Sequence, residues 1–194
     1  MKAIRTVWCA AALMLLSGCG YNTIQTQDES VKAAWSEVVN QYQRRADLVP
    51  NLVNTVKGYA AQEERVLTEV TNARANATAI KATPELINDP VAFQKFIQAQ
   101  AQLQGALSRL LAVAEAYPQL KSDALFRDLS AQLEGTENRI AVARRDYIEA
   151  VRVYNTQLKT FPGILWASTF FRGNKPMAEF AANDGAQAPP QVKF

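Results

Sequence analysis

The sequence predicts an all-α protein, an antiparallel up-and-down bundle of four helices. From Asp28 onward, apolar residues recur at alternating steps of three and four, the period of a helix that buries one stripe. No run of period-two β-branched residues and no hairpin turn signal interrupts that rhythm. The connections between periodic stretches are short, so neighbouring helices must pack antiparallel on one another.

The first stretch reads Val31, Trp35, Val38, Tyr42, Val49, Leu52, Val56, Tyr59, Val66 and Val70, with Arg45 and Ala46 filling the intermediate step. It crosses Pro50 in phase, although a proline inside a helix lacks the N–H and costs about 3 kcal/mol. Two readings stand: one long helix kinked at Pro50, or a second helix with Pro50 in its first turn. Residues 76–89, which contain Pro84 and stop before Pro90, read as a loop or frayed end. The next helix runs from about Pro90 to Ala116, with Phe93, Phe96, Ile97, Leu103, Leu107, Leu110, Leu111 and Ala114 on one side, and Tyr117-Pro118 closes it. The last begins near Ser122, a capping residue type. It carries Phe126, Leu129, Leu133, Thr136, Ile140, Ala143, Tyr147, Ala150, Tyr154 and Leu158 as far as Phe161-Pro162-Gly163. Trp35, Leu133, Ile140 and Tyr154 are expected in the core. Gly58, Gly105 and Gly135 each cost about 1 kcal/mol of helix propensity, which, with the many Ala residues, suggests closely approaching helices.

Ahead of the bundle, Lys2 and Arg5 precede an apolar run and then Leu16-Ser17-Gly18-Cys19. A cationic start, an apolar stretch too short to span a bilayer and a small-residue processing site make a secretory signal peptide. Cys directly after the small pair gives it the form of a bacterial lipobox, cut between Gly18 and Cys19, with acyl chains on Cys19. The other reading is an ordinary signal peptide cut nearby, with Cys19 a stray thiol. The expected boundaries are a leader over 1–18, a lipidated N-terminus and tether over 19–27, the bundle over 28–171 and a disordered tail over 172–194. Residues 20–27 span at most about 28 Å, so the body stays close to its membrane. In Gram-negative lipoproteins an Asp after the lipidated Cys commonly retains the protein at the inner membrane. Here Gly20 is the next residue, so the expected location is the outer membrane, facing the periplasm. The stretch Ile164-Leu165-Trp166-Ala167-Ser168-Thr169-Phe170-Phe171 is either a short helix folded over one end of the bundle or a contact with membrane or partner. Gly173, Pro176, Gly185, Pro189 and Pro190 give residues 172–194 the composition of a disordered tail.

The chain has 21 Lys and Arg against 18 Asp and Glu, and no His. Loss of Lys2 and Arg5 with the leader brings the body near neutrality. Binding a nucleic-acid backbone needs a clustered cationic face, so no nucleic-acid partner is expected. Cys9 would leave with the leader and Cys19 would be acylated. That removes intramolecular disulfides, thiolate and imidazole metal ligands, His-dependent triads and Cys nucleophiles. No cofactor, metal site or catalytic residue is expected, although carboxylate-only chemistry and oxygen-ligand sites stay open.

Two segments are too polar for the core positions they occupy or flank. One is Arg44-Arg45-Ala46-Asp47-Leu48-Val49-Pro50-Asn51-Leu52-Val53-Asn54-Thr55-Val56-Lys57-Gly58-Tyr59. The other is Glu134-Gly135-Thr136-Glu137-Asn138-Arg139-Ile140-Ala141-Val142-Ala143-Arg144-Arg145, continuing to Tyr147 and Tyr154-Asn155. Arg44, Arg45, Asp47 and Asn51 on one helix, with Glu134, Glu137, Asn138, Arg139 and Arg144 on another, have the types for an interhelical network of charge-assisted hydrogen bonds. Such a network can set helix register, present a docking patch or, through paired carboxylates such as Glu134 and Glu137 or through Asp47, support hydrolysis.

With Ala34-Trp35, Tyr117-Pro118 and Thr160-Phe161-Pro162, these segments resemble the LemA family of bacterial membrane-associated proteins over residues 21–171. The resemblance implies an all-helical bundle on the non-cytoplasmic side of a membrane, with no established enzymatic activity. Family members usually begin with a transmembrane helix, where this chain has a lipobox. Many relatives read Tyr-Ala-x-His-Glu where this chain has Tyr59-Ala60-Ala61-Gln62-Glu63, so a metal or proton role for that His does not carry over. The expected function is a non-enzymatic structural or protein-interaction module of the cell envelope, held by membrane lipid through Cys19 and working with an envelope protein partner. Its rivals are a carrier or sensor of a lipid or small apolar ligand, a carboxylate hydrolase and, from the resemblance, an adaptor of a membrane metalloprotease.

Overall fold

Pro50 does not end the first helix. In the computed structural model, which describes residues 2–180 and the side chains of residues 21–180, α1 (Lys2–Tyr59) passes through it. Of the two readings of this proline, one continuous helix is the observed one. The further helices are α2 (Glu64–Ala79), α3 (Pro90–Val113), α4 (Pro118–Ser122), α5 (Ala124–Lys159) and α6 (Gly163–Thr169). Short 3-10 turns cover Pro84–Asn88 and Ala114–Ala116, and the described residues contain no strand.

Local chemistry places the boundaries. Asp89 caps α3, its Oδ1 accepting from the N–H groups of Val91 and Ala92, and Pro90 occupies the first turn, where its missing N–H is harmless. Asp123 rather than Ser122 caps α5, accepting from the N–H of Phe126 at 2.8 Å. α3 stops at Val113, short of the expected Ala116, and the 3-10 turn Ala114–Ala116 carries the chain to Tyr117, while Pro118 opens the single turn of α4, a favoured position for proline. At Gly163 a Cβ would lie 2.1 Å from the carbonyl oxygen of Gln157, so the turn from α5 into α6 requires glycine.

Helix length divides the bundle into two halves. From Tyr21, α1 extends about 58 Å and α5 about 54 Å, whereas α3 covers about 36 Å and α2 about 24 Å. α5 runs along α1, and α2 packs against both α1 and α3. All four contribute to one core, through Val49, Leu52 and Val56, Leu67, Val70 and Ala73, Leu103 and Leu110, and Leu129 and Leu133. α2 does not reach the other half. There Trp35, Phe93, Phe96, Ile140, Tyr147 and Tyr154 form an aromatic-rich core, closed by Leu86 and Ile87 and by Phe171, Met177 and Phe180. The indole Nε1 of Trp35 donates to the carbonyls of Ala82 (3.2 Å) and Thr83 (3.3 Å), fastening the α2–α3 connection over this core. Trp35, Leu133, Ile140 and Tyr154 are all buried.

Three expectations are corrected. Residues 172–180 are not a disordered tail: they cross the aromatic half as a strap that buries Met177 and Phe180. Asn155 bonds the backbone of Met177 twice, Oδ1 accepting from its N–H and Nδ2 donating to its carbonyl. Tyr147 donates to the carbonyl of Ala178, whose N–H donates to Ile87. An extended segment held by backbone bonds and a few apolar plugs has no helical period, so composition alone reads it as unfolded. The rest of that tail, 181–194, lies outside the described residues. Residues 21–27 are no tether but part of α1, with Ile24 fully buried seven residues before Val31 and in phase with it. The helix glycines mark no close approach: a Cβ would meet nothing within 4 Å at Gly58, and only arginine tips of the same helix at Gly105 and Gly135. The leader over 1–18 and the Cys19 anchor fall outside the described side chains. Among the described residues no helix is long and apolar enough to cross a membrane.

Candidate functional site

Where the two cores meet, the inward stripe of α1 places a charge. Its positions run Val38, Tyr42, Arg45, Val49 and Leu52, so Arg45 points between helices and is only 1% exposed. Its Nη1 donates to Glu137 Oε1 on α5 at 2.9 Å, and its Nη2 donates to both the side-chain oxygen (2.8 Å) and the carbonyl (3.1 Å) of Gln100 on α3. The guanidinium also lies 5.0 Å from the ring centroid of Tyr42. Burial pushes the Tyr42 phenol above its ordinary range, against the opposing pull of Arg144 and Arg45. One arginine thus bonds α3 and α5 from α1, and Thr136 is buried in the same layer. A shift of any helix by one turn would strand Arg45, Gln100 or both, so the layer specifies register.

The nine residues proposed for an interhelical network reduce, as a correction, to this pair. Arg44, Asp47, Asn51, Glu134, Asn138 and Arg139 face solvent. Asp47 accepts from Gln43 of its own helix at 2.8 Å. Arg144 turns to the strap, its guanidinium 4.4 Å from the ring centroid of Phe180. The cause is the helical period, which points about one residue in each turn at a given neighbour. Gln100, absent from the sequence reading, is the third member. It occupies the buried stripe of α3 between Phe96 and Leu103, where a polar side chain needs a partner.

Glu137 is 31% exposed and opens on a groove of about 670 Å³ between α3 and α5. Leu107, Leu111, Phe126 and Leu133 supply apolar walls, with Glu134 on one side and Lys121 and Arg127 toward one end. The hydroxyl of Ser130, which lines it, is buried without a hydrogen-bond partner.

The two ends of the bundle differ in chemistry. At one, the residues around the helix turns form a polar latch. The Tyr59 hydroxyl donates to Asp123 at 2.9 Å, Gln62 Nε2 donates to the Tyr117 hydroxyl at 2.8 Å, and that hydroxyl donates to Glu63 at 3.0 Å. The Phe126 N–H and then the Tyr59 hydroxyl hold the Asp123 carboxyl below its usual range, and the bond to Asp123 raises the Tyr59 phenol. At the other end, Tyr21 packs on Trp166, Phe170 and Phe171. In the turn and helix after α5, Phe161 is 80% exposed, Phe170 71% and Leu165 55%, and Ile164 is also exposed. Among the described residues no three acidic side chains are grouped to hold a metal ion.

Residues 34–194 match the family model described as the LemA family. The match therefore takes in the C-terminal strap, beyond the 21–171 of the sequence resemblance. Magnetosome protein MamQ 1 and Magnetosome protein MamQ 2 of Paramagnetospirillum magneticum are each 29% identical to this chain over 189 residues, covering 89% of it and 70% of the relative. Magnetosome protein MamQ of Magnetospirillum gryphiswaldense is 26% identical with the same coverage.

Proposed function

The chain belongs to the LemA family, and from that premise we propose that it is a lipid-anchored, non-enzymatic interaction module of the bacterial cell envelope. Cys19 is its acylated anchor, the bundle faces the periplasm from the outer membrane, and an envelope protein is its partner. The observation that carries this reading is the role of Glu137. A hydrolase built on Glu134 and Glu137 needs both carboxylates turned together on a substrate. Glu137 is instead held at 2.9 Å by a buried guanidinium, and Glu134 faces water. The charge inside the bundle thus serves its packing, which leaves recognition to its outer surfaces.

The groove between α3 and α5 is the surface that suits a protein partner, because apolar walls with charged margins accept an amphipathic helix. The same groove is the observation that favours the second reading, a carrier of a lipid or small apolar ligand. An adaptor of a membrane metalloprotease would be one form of the first.

Two measurements test the proposal. Intact mass of the protein purified from cell membranes should show an acylated N-terminal Cys19, and an unmodified N-terminus elsewhere would refute the anchor. A photo-crosslinking residue at Ser108 or Ala131, beside the groove, should capture an envelope protein in living cells, whereas one at Ser36 on α1 should not. Absence of protein adducts at both groove positions, with lipid recovered from protein purified without detergent, would establish the carrier instead.

A further inference from the structure

The end of the bundle that carries Tyr21 bears four large apolar side chains turned outward. A helix that merely folds back over a core hides its apolar residues. Trp166, Ala167 and Phe171 do pack inward, but Phe161, Ile164, Leu165 and Phe170 do not, and Tyr21 stands exposed beside them. These residues come from both chain segments at this end, the start of α1 and the turn and helix after α5, and the Tyr21 ring joins the two segments by packing on Trp166 and Phe170. Large apolar side chains left exposed together at one end of a fold mark a covered site.

Charge indicates what covers it. Residues 157–178 contain three cations, Lys159, Arg172 and Lys175, and no acidic residue. All three cations are exposed. Arg172 is tied to α6 by its bond to the carbonyl of Ser168, while Lys175 lines a cleft with Asp28 and Lys32. Aromatic and aliphatic side chains beside exposed cations are the composition that settles at the boundary between lipid headgroups and acyl chains, where cations meet anionic headgroups.

We propose that this end of the bundle, built by Tyr21, Phe161, Ile164, Leu165 and Phe170, is seated in the surface of the membrane that holds the protein. The proposal rests on the anchored reading for its choice of lipid over protein. With the anchor at Cys19, two residues before Tyr21, the aromatic end is the part of the fold that cannot leave the bilayer surface. Acyl chains and an interfacial protein patch are two signals of the kind that together give stable attachment. The consequence is orientation. α1 and α5 stand away from the membrane rather than lie along it, and the polar latch of Tyr59, Tyr117 and Asp123 is held about 58 Å out, the length of α1 beyond Tyr21.

The processed full-length protein, purified from membranes, is reconstituted at low protein-to-lipid ratio in vesicles of phosphatidylcholine and phosphatidylglycerol. A spin label is carried by Leu165→Cys in one sample and by Gln62→Cys in another. The expected result is that the label at 165 is accessible to oxygen and shielded from a water-soluble nickel chelate, while the label at 62 meets the chelate freely. Adding Phe161→Ser and Phe170→Ser should expose the label at 165 to the chelate. Equal chelate access at both positions would overturn the proposal, as would spin–spin broadening at 165, which would make a second copy the covering partner. Intact mass on the same sample keeps the readings apart, because an unacylated Cys19 with a shielded 165 refutes the anchor alone. In the unsubstituted protein, acyl-brominated lipid should quench Trp166 and spare the buried Trp35; no quenching would count equally against the proposal.

Discussion

The Nε of Arg74 on α2 donates a 2.8 Å hydrogen bond to the carbonyl of Ala46 on α1. That carbonyl is the one Pro50 leaves without a helical donor, four residues on. A neighbouring helix thus supplies the hydrogen bond that the proline cannot, and α1 continues to Tyr59.

Arg74 and Pro50 should therefore be energetically coupled. Arg74→Met should cost about 1.5–3 kcal/mol, the range for hydrogen bonds to charged groups. In a Pro50→Ala background the new N–H at position 50 satisfies Ala46, and the same substitution should cost clearly less. Urea unfolding of the four proteins in the cycle measures the difference. Equal costs in both backgrounds would remove the compensation.

Arg45 and Glu137 should also couple. Removing one partner of a buried ion pair costs about 3–5 kcal/mol, and the partial exposure of Glu137 lets water replace some of its contribution. Arg45→Ala is thus expected to cost more than Glu137→Ala, because it also strands Gln100 and opens a cavity. Coupling near zero in the cycle would show that Gln100 alone satisfies the guanidinium.

Asn155→Ala should loosen the strap. It deletes both bonds to the backbone of Met177, each worth about 1 kcal/mol. Amide exchange at Met177 and Ala178 should accelerate while the centre of α5 keeps its protection. Unchanged protection at both amides would place the hold in Phe180 and Tyr147 instead.

Asp123 should make the latch acid-sensitive. Its carboxyl is held below the ordinary range in the folded protein, so its contribution is complete above the unfolded value of about 3.9 and disappears as pH falls through the lower folded value. Asp123→Asn keeps a competent cap residue but removes the charge. Wild type should be the more stable at pH 7, with the gap closing below about pH 4. A gap that does not vary with pH in urea midpoints would mean that the carboxylate charge contributes nothing.

Most of the helices were legible in the sequence, although the break between α1 and α2 at residues 60–63 was not. Burial repeats with the helical period, and capping or breaking residues such as Pro90, Pro118 and Gly163 act within a few positions of themselves, so spacing along the chain carries this information. The same spacing placed Trp35, Leu133 and Ile140 inside and left Arg45 on the inward stripe. Which polar residue meets which was another matter. Nine candidates shared suitable chemistry, and only the rotation and axial offset of α1, α3 and α5 selected Arg45, Glu137 and the unforeseen Gln100. Arg74 beside Ala46, both bonds of Asn155 to Met177 and the exposed apolar residues near the Tyr21 end belong to the same class. Each joins residues far apart in sequence through the relative placement of packed elements, which no local periodicity encodes.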